Sequence, residues 1–211
     1  MKTQRFVAVG AVLALALLVV GCAKPPAEEQ NAAKQSLDNA RTNAEKWAPN
    51  EWRSAQQSFD DANKEIETQN NRFALMRNYD KAKQMLADAK NAADRAKQAG
   101  IDNKEAAKKE AEAKLADAEA AINAAKAALD AAPKTKDTKA DIELFKSDLD
   151  GLTTSLGDAK NMMAQESYKE VSAKADTVKS QASDIKSKLE EAASKAAAKK
   201  GAKGAHKSGK K

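Results

Sequence analysis

Apolar residues recur along this chain in alternating steps of three and four, and this spacing constrains its fold more than any other feature. The first run places Ala33, Leu37, Ala40, Ala44 and Trp47 in register. Steps that average close to 3.5 residues keep an apolar seam on one face of an α-helix and favour coiled-coil packing. The period-two alternation of a β-strand is missing from the sequence. The pattern predicts an all-α protein, an elongated antiparallel helical bundle built from coiled-coil-like hairpins.

Five further runs keep the same rhythm. They are Trp52, Ala55, Phe59, Ala62 and Ile66; Phe73, Met76, Tyr79, Ala82, Leu86, Ala89, Ala93 and Ala96; Ala111, Leu115, Ala118, Ile122, Ala125, Leu129 and Ala132; Ile142, Phe145, Leu149, Leu152 and Leu156; and Tyr168, Val171, Ala175, Val178, Ala182, Ile185, Leu189 and Ala192. Pro49 and Pro133 each predict a helix start, since proline is well tolerated at the first helical position. The polar residues 69–71 predict a turn. Gly100 predicts a helix end, with Asp102 capping the next helix.

The chain also repeats itself. Ala48-Pro49 recurs as Ala132-Pro133, 84 residues later, and Tyr79 corresponds to Tyr168, 89 residues later, with the same apolar spacing behind each tyrosine. Alanine-rich heptads can also align by chance. The paired landmarks favour a duplicated helical unit, because each copy is too thin to bury its own seam. We therefore predict unit 1 at residues 28–100, a connecting helix at 101–132 and unit 2 at 133–195.

The N-terminal segment has the composition of an export signal. Lys2 and Arg5 precede an apolar run of 15 residues, Phe6 to Val20, which is shorter than the roughly 20 residues of a spanning helix. Val19-Val20-Gly21-Cys22 then resembles the bacterial lipobox. The resemblance implies cleavage between Gly21 and Cys22, with a diacylglycerol and an N-acyl chain on Cys22. Residues 1–21 would be the cleaved signal peptide and 22–27 a lipidated linker held extended by its prolines. An ordinary signal peptide or an uncleaved anchor remains the alternative.

The side chains that most enzymes need are nearly absent from the sequence. Cys22 is the one cysteine and His206 the one histidine, which lies among lysines near the C-terminus. A lipidated Cys22 leaves no thiol for a disulfide, a nucleophile or a metal. A lone histidine supports neither a catalytic triad nor a zinc site. We predict a protein that is not an enzyme and has no metal and no cofactor beyond the lipid.

The positive charge is concentrated in the last residues. The formal net charge is +6; without the two cations of the signal segment and the six lysines of the tail, the remaining side chains carry −2. The tail, 196–211, has no aromatic or branched apolar residue, and we predict that it is disordered. Such tails bind polyanions by releasing counterions, or they only keep a protein soluble. The candidate polyanion-binding residues are Lys199, Lys200, Lys203, Lys207, Lys210 and Lys211.

The two tryptophans, Trp47 and Trp52, lie on either side of Pro49. One hypothesis is a stacking platform for a sugar ring of the cell wall. The other is that both rings pack at a helix corner, since both fall on the apolar seam and bury a large area. The seam positions favour packing.

Several residues in the first half carry a family resemblance. The first half of the chain resembles a family of small helical bacterial envelope lipoproteins of unknown function. The resemblance lies in Ala48-Pro49 with Trp52, Phe59, Tyr79 and the alanines that follow. The similarity covers residues 40–98 and, more loosely, 125–190, where Lys136 replaces the aromatic residue. It implies an outer-membrane lipoprotein with a helical periplasmic domain. The terminal Lys210-Lys211 is also weakly similar to the murein lipoprotein, which implies a C-terminal lysine joined to the wall.

These observations predict a non-enzymatic envelope lipoprotein. The lipid would anchor it to a membrane, with the outer membrane indicated by Ala23 after the cysteine, and the helical body would act as a spacer or scaffold. The tail would contact peptidoglycan or another anionic envelope polymer, and no nucleic acid is expected as a partner. Alternatives are a tetratricopeptide-like module that docks a partner protein, a homo-oligomer, and a murein-linked structural lipoprotein.

Overall fold

The all-α prediction is confirmed. The computed structural model describes residues 23–135 and 138–208, with side chains through residue 198, and within these ranges there is no β-strand. The described residues form five helices: α1 Ala27–Trp47, α2 Pro49–Asn70, α3 Asp80–Ala131, α4 Lys139–Met163 and α5 Tyr168–Ser208. A single 3-10 turn, Ala74–Met76, lies between α2 and α3. None of these helices combines the length and apolar character that crossing a membrane requires.

The chain divides into two compact units, Met1–Lys104 and Glu105–Lys211. Unit 1 holds α1, α2 and the first part of α3, and unit 2 holds the rest of α3 with α4 and α5. The turn predicted at residues 69–71 begins two residues later, at Asn71, because α2 continues through Gln69 and Asn70. Pro49 begins α2 as predicted, whereas α4 begins at Lys139, six residues after Pro133.

Unit 1 is a three-helix bundle in which α1 and α3 run parallel to each other and antiparallel to α2. Gln30 Nε2 of α1 donates a hydrogen bond of 2.7 Å to Asn63 Oδ1 of α2. Lys83 Nζ, near the start of α3, lies 3.7 Å from the carboxylate of Glu29. At the opposite end of the bundle, Asn103 Nδ2 donates 2.9 Å to the Trp47 carbonyl. The start of α1, the end of α2 and the start of α3 therefore share one end of the unit.

Alternating alanines and larger residues build the core of unit 1. One cluster of buried side chains surrounds Trp52 and a second surrounds Leu86, which is 1% exposed. The seam alanines of all three helices are 0% exposed: Ala33, Ala40, Ala44, Ala55, Ala62, Ala82, Ala89, Ala93 and Ala96. Because a methyl group is small, it lets two helix backbones approach closely while the larger residues fill the space between turns.

Unit 2 follows the same rule. Leu149 of α4 and Val171 and Val178 of α5 are among its most deeply buried side chains. Exposed ion pairs join its helices on the outside: Lys160 with Glu119 at 2.8 Å and Lys179 with Asp117 at 2.8 Å. Pairs as exposed as these contribute little to stability, so apolar packing holds the unit together.

The compact units divide the chain at a different place from the repeat predicted from the sequence. Residues 105–131, which we predicted to be part of a connecting helix, belong to unit 2. The buried positions of α1 and of this part of α3 correspond at a constant offset of 85 residues: Ala33 with Ala118, Leu37 with Ile122, and Ala40 with Ala125. The helix before Ala132-Pro133 therefore matches the helix before Ala48-Pro49 in its buried positions, and the duplication itself stays a prediction.

The predicted helix end at Gly100 is wrong, because α3 continues through it to Ala131. Gly100 instead lies where α3 crosses α1. A Cβ at this position would lie 2.7 Å from the carbonyl carbon of Asn43 and 2.8 Å from the nitrogen of Ala44. Both of these are backbone atoms that cannot rotate away, so the glycine provides a close approach between helices rather than a stop.

The disorder that we predict from residue 196 on stays a prediction. The structure describes α5 as a helix to Ser208, and residues 209–211 lie outside the described residues. Alanine and lysine are both strong helix formers, and a helix that packing has already started needs no new nucleus to continue into such a sequence.

Candidate functional site

The site residues predicted from the sequence lie outside the described parts of the chain. This holds for Gly21 and Cys22, for the side chains of Lys199, Lys200, Lys203 and Lys207, and for Lys210 and Lys211. Their roles stay predictions. The described residue closest to Cys22 in the chain is Ala23, and it shows where the first described residues lie on unit 1.

Ala23 packs against the folded body. It lies partly buried on the core cluster that contains Ile66, Tyr79 and Leu86. Pro26 is buried, and Ala27 N–H donates 2.9 Å to the Pro25 carbonyl. The spacer that we predict at residues 22–27 is held against unit 1 in its described part, since Ala23 packs on the core cluster and Pro26 is buried.

The loop between α2 and α3, residues 71–79, lies at this same end of unit 1. Arg77 fastens its base, with Nη2 donating 2.8 Å to the Asn70 carbonyl and Nε donating 3.0 Å to the Arg72 carbonyl. Tyr79, buried at 2% exposure, donates its hydroxyl to Asn70 Oδ1 at 2.5 Å. Asn78 Oδ1 accepts 2.7 Å from Asp80 N–H and so caps the start of α3. These bonds give the loop a fixed shape.

A buried amide ties the loop to the helices. Gln69 is 5% exposed; its Oε1 accepts 3.2 Å from Asn78 N–H and its Nε2 donates 2.8 Å to Glu65. The other oxygen of Glu65 accepts 2.8 Å from Lys81 Nζ. The Lys81 ammonium, the Gln69 amide and the charge of Arg72 hold the pKa of Glu65 below its ordinary value of 4.5. The carboxylate therefore couples α2, α3 and the loop.

We expect acid to weaken this coupling. A carboxyl group whose pKa is lowered by folding stabilises the fold above its unfolded-state pKa, and this contribution is lost as the pH falls through the lowered value. Glu65→Gln removes the charge but keeps the shape, so it should destabilise unit 1 at pH 7, and its difference from the wild type should be smaller at pH 3. Urea unfolding followed by tryptophan fluorescence measures both differences. An equal difference at the two pH values would contradict the assignment.

Three large apolar side chains point outward from the braced loop. Phe73, Leu75 and Met76 are 70%, 73% and 72% exposed. The prediction that Phe73 and Met76 belong to the buried seam is wrong, because α3 begins only at Asp80. Both residues fit the heptad spacing, and for this reason the sequence predicts a helix where the structure has a loop. The available signal was the pair of asparagines at 71 and 78, which favour turns and caps.

The grooves on the described surface are open and mixed in polarity. The one between α4 and α5 has a volume of about 520 Å³, with Asp148, Asp184 and Lys188 on its walls and Leu152 and Ile185 at its base. A tetratricopeptide-like module would need an exposed apolar groove, and this groove has charged walls. Among the described residues, no group of three or more His, Cys, Asp or Glu is placed to hold a metal ion.

Both tryptophan side chains are buried at the helix corner. Trp47 is 7% exposed and Trp52 is 9% exposed, on either side of the corner that Pro49 begins. The Lys46 ammonium lies 4.9 Å from the centroid of the Trp47 ring. Buried ring faces cannot serve as an open platform for a sugar, so this geometry favours the corner-packing hypothesis.

No family model matches this chain, and no curated protein or solved structure shows significant similarity to it.

Proposed function

We propose that the chain is a non-enzymatic lipoprotein of the bacterial cell envelope, anchored by lipid on Cys22. In this proposal the helical units form a scaffold on the membrane surface. The resemblance to helical envelope lipoproteins, stated above on residues 40–98, points the same way and favours the outer membrane. The lysines of the last residues would contact an anionic envelope polymer such as peptidoglycan.

The observation that carries the proposal is the single cysteine at the end of a signal-like segment. Lys2 and Arg5, the apolar run to Val20 and the small residue Gly21 precede Cys22 in the order that an export signal requires. Several acyl chains on one residue anchor a protein stably, since each buried methylene contributes about 0.8 kcal/mol.

The course of the chain after Cys22 is consistent with an anchor at this position. Ala23 packs on the end of unit 1, and Lys24 and Pro25 beside it are exposed. A lipid attached one residue earlier would therefore lie at an end of the bundle, where acyl chains can enter a bilayer without disturbing the helical core.

Fatty acid labelling in growing bacteria tests the anchor. Cells that express the full chain take up an alkyne-bearing fatty acid, and we expect the purified protein to carry it. Cys22→Ala should lose essentially all of the label, because the sequence has no other cysteine on which the thioether could form. Lys24→Ala, a change of an exposed neighbour, should keep the label. Equal labelling of the Cys22→Ala variant and the wild type, or none in either, would contradict the proposal.

A further inference from the structure

The loop between α2 and α3 exposes apolar surface in a way that the rest of the described chain does not. Five large apolar side chains are exposed among the described residues, and three of them, Phe73, Leu75 and Met76, fall within four positions of one another. The other two, Ile101 and Leu144, stand singly. Single exposed apolar residues are normal on protein surfaces, whereas a clustered patch indicates a contact.

The exposure is built into the fold. Met76 N–H donates 2.8 Å to the Phe73 carbonyl, which closes the 3-10 turn. Arg77 and Tyr79 bind the Asn70 residue at the foot of the loop. The base of the loop is thus fixed by hydrogen bonds while its apolar side chains face solvent, so they are held in position for a surface outside the protein.

The loop and the proposed anchor lie at the same end of unit 1. Ala23 packs on the cluster that contains Tyr79, and Tyr79 is three residues beyond Met76. The described chain therefore begins at this surface, one residue after the proposed site of the lipid. A bilayer that holds acyl chains on Cys22 is therefore the surface closest to the loop.

The charges of the loop suit an anionic bilayer. Arg72 and Arg77 flank the apolar tip, and the sequence has no carboxylate from Asn70 to Tyr79. Arginine beside an aromatic and aliphatic tip is the composition of segments that lie in the headgroup region of a membrane. A stable protein interface needs roughly 800 Å² from each partner, which three side chains on a short loop do not supply.

We propose that residues 72–77 form a second membrane contact, in which Phe73, Leu75 and Met76 enter the bilayer that holds the lipid of Cys22. This rests on the proposed lipid anchor. The anchor makes the second contact intramolecular, so that even a weak apolar insertion is occupied most of the time. The two contacts together fix one end of unit 1 against the membrane and so orient its helices.

A fluorescent label on the loop tests the proposal. The full-length acylated Leu75→Cys variant has one free thiol, because acylation occupies the sulfur of Cys22. It is labelled with an environment-sensitive dye and placed in phosphatidylethanolamine–phosphatidylglycerol vesicles that contain brominated acyl chains. Leu75 is 73% exposed, so the substitution removes little packing. The matched control is Glu51→Cys, which is exposed near the start of α2, at the other end of unit 1.

We expect the label at position 75 to be quenched by the brominated lipid and to be about tenfold less accessible to aqueous iodide than the label at position 51. Equal iodide quenching at both positions would overturn the proposal. Shielding from iodide without quenching by the lipid would also overturn it, and would indicate a protein or a second copy at the loop.

The failure of this proposal is distinguishable from that of the anchor. Mass measurement of each variant before labelling shows whether Cys22 carries lipid. A protein without lipid refutes the proposed function, whereas an acylated protein whose loop stays in water refutes only the second contact. Addition of Phe73→Ser and Met76→Ser to the labelled variant should restore iodide access, because it removes the apolar side chains on either side of the label.

Discussion

Leu86→Ala is expected to lower the free energy of unfolding of unit 1 by about 2–5 kcal/mol. Leu86 is 1% exposed and belongs to the cluster in which Ile66, Tyr79 and Ala33 meet, so α1, α2 and α3 all lose contacts when its side chain is shortened. Ala33, Ala62 and Ala82 belong to the same cluster, and their methyl groups cannot reach into the cavity. Relaxation is therefore limited, and the cost should lie well above that of an average substitution.

Tryptophan fluorescence measures this effect in unit 1 alone. The chain has two tryptophans, Trp47 and Trp52, and both are buried in unit 1. A urea titration of Leu86→Ala should move the fluorescence transition to lower urea. Leu75→Ala is the matched control, since Leu75 is 73% exposed, and it should change the free energy by less than about 0.5 kcal/mol. Similar shifts for the two variants would mean that Leu86 does not lie in the core.

Gly100→Ala is expected to destabilise unit 1 by about 1–3 kcal/mol. In an ordinary helix this change stabilises by up to about 1 kcal/mol, because alanine has the higher helix propensity. Here the added methyl group would lie 2.7–2.8 Å from backbone atoms of Asn43 and Ala44. The helices α1 and α3 must move apart to accept it, and the packing of Trp52, Ala93 and Ala96 depends on their close approach.

Gly151 provides the control, because a change from glycine to alanine there should have the opposite effect on the free energy of unfolding. It lies within α4, and a Cβ there would meet no atom within 4 Å. Gly151→Ala should therefore stabilise unit 2 by up to about 1 kcal/mol, as measured by urea unfolding followed by circular dichroism. A Gly100→Ala variant that gains stability in the fluorescence titration would show that α1 and α3 are not in close contact at this position.

The heptad spacing made most of the core predictable from the sequence. Alanines at 40, 44, 55, 93 and 96 were placed on the seam, and all are 0% exposed. The prediction works because a two- or three-helix unit has one buried face for each helix, so burial follows the period of the helix. The start of α2 at Pro49 was predictable for a different reason, because proline is well tolerated at the first position of a helix.

The errors come from contacts between segments that are distant in sequence. Gly100 has the sequence signature of a helix end, but its role depends on the backbone of Asn43, 57 residues earlier. Phe73 and Met76 fit the heptad steps, yet the hydrogen bonds of Arg77 and Gln69 hold them in a loop. Periodicity predicts which residues share one face of a helix, but it does not predict the residue at which that helix begins.

The candidate membrane-facing site could be predicted only in part. The sequence pointed to Cys22 through the order of charge, apolar run and small residue. The loop at residues 72–77 could not be connected to it, because that requires the packing of Ala23 on the cluster of Tyr79. The proposed lipid site at Cys22 is predicted from the local sequence, whereas the loop at residues 72–77 is connected to it only through the folded unit.

Intact mass spectrometry of the protein purified from bacterial membranes tests the lipid anchor most directly. We expect a chain that begins at Cys22, heavier than the polypeptide by a diacylglycerol and an acyl group, with no thiol available for alkylation. A chain that still begins at Met1, or one whose Cys22 thiol reacts with an alkylating reagent, would contradict the anchor and with it the proposed function.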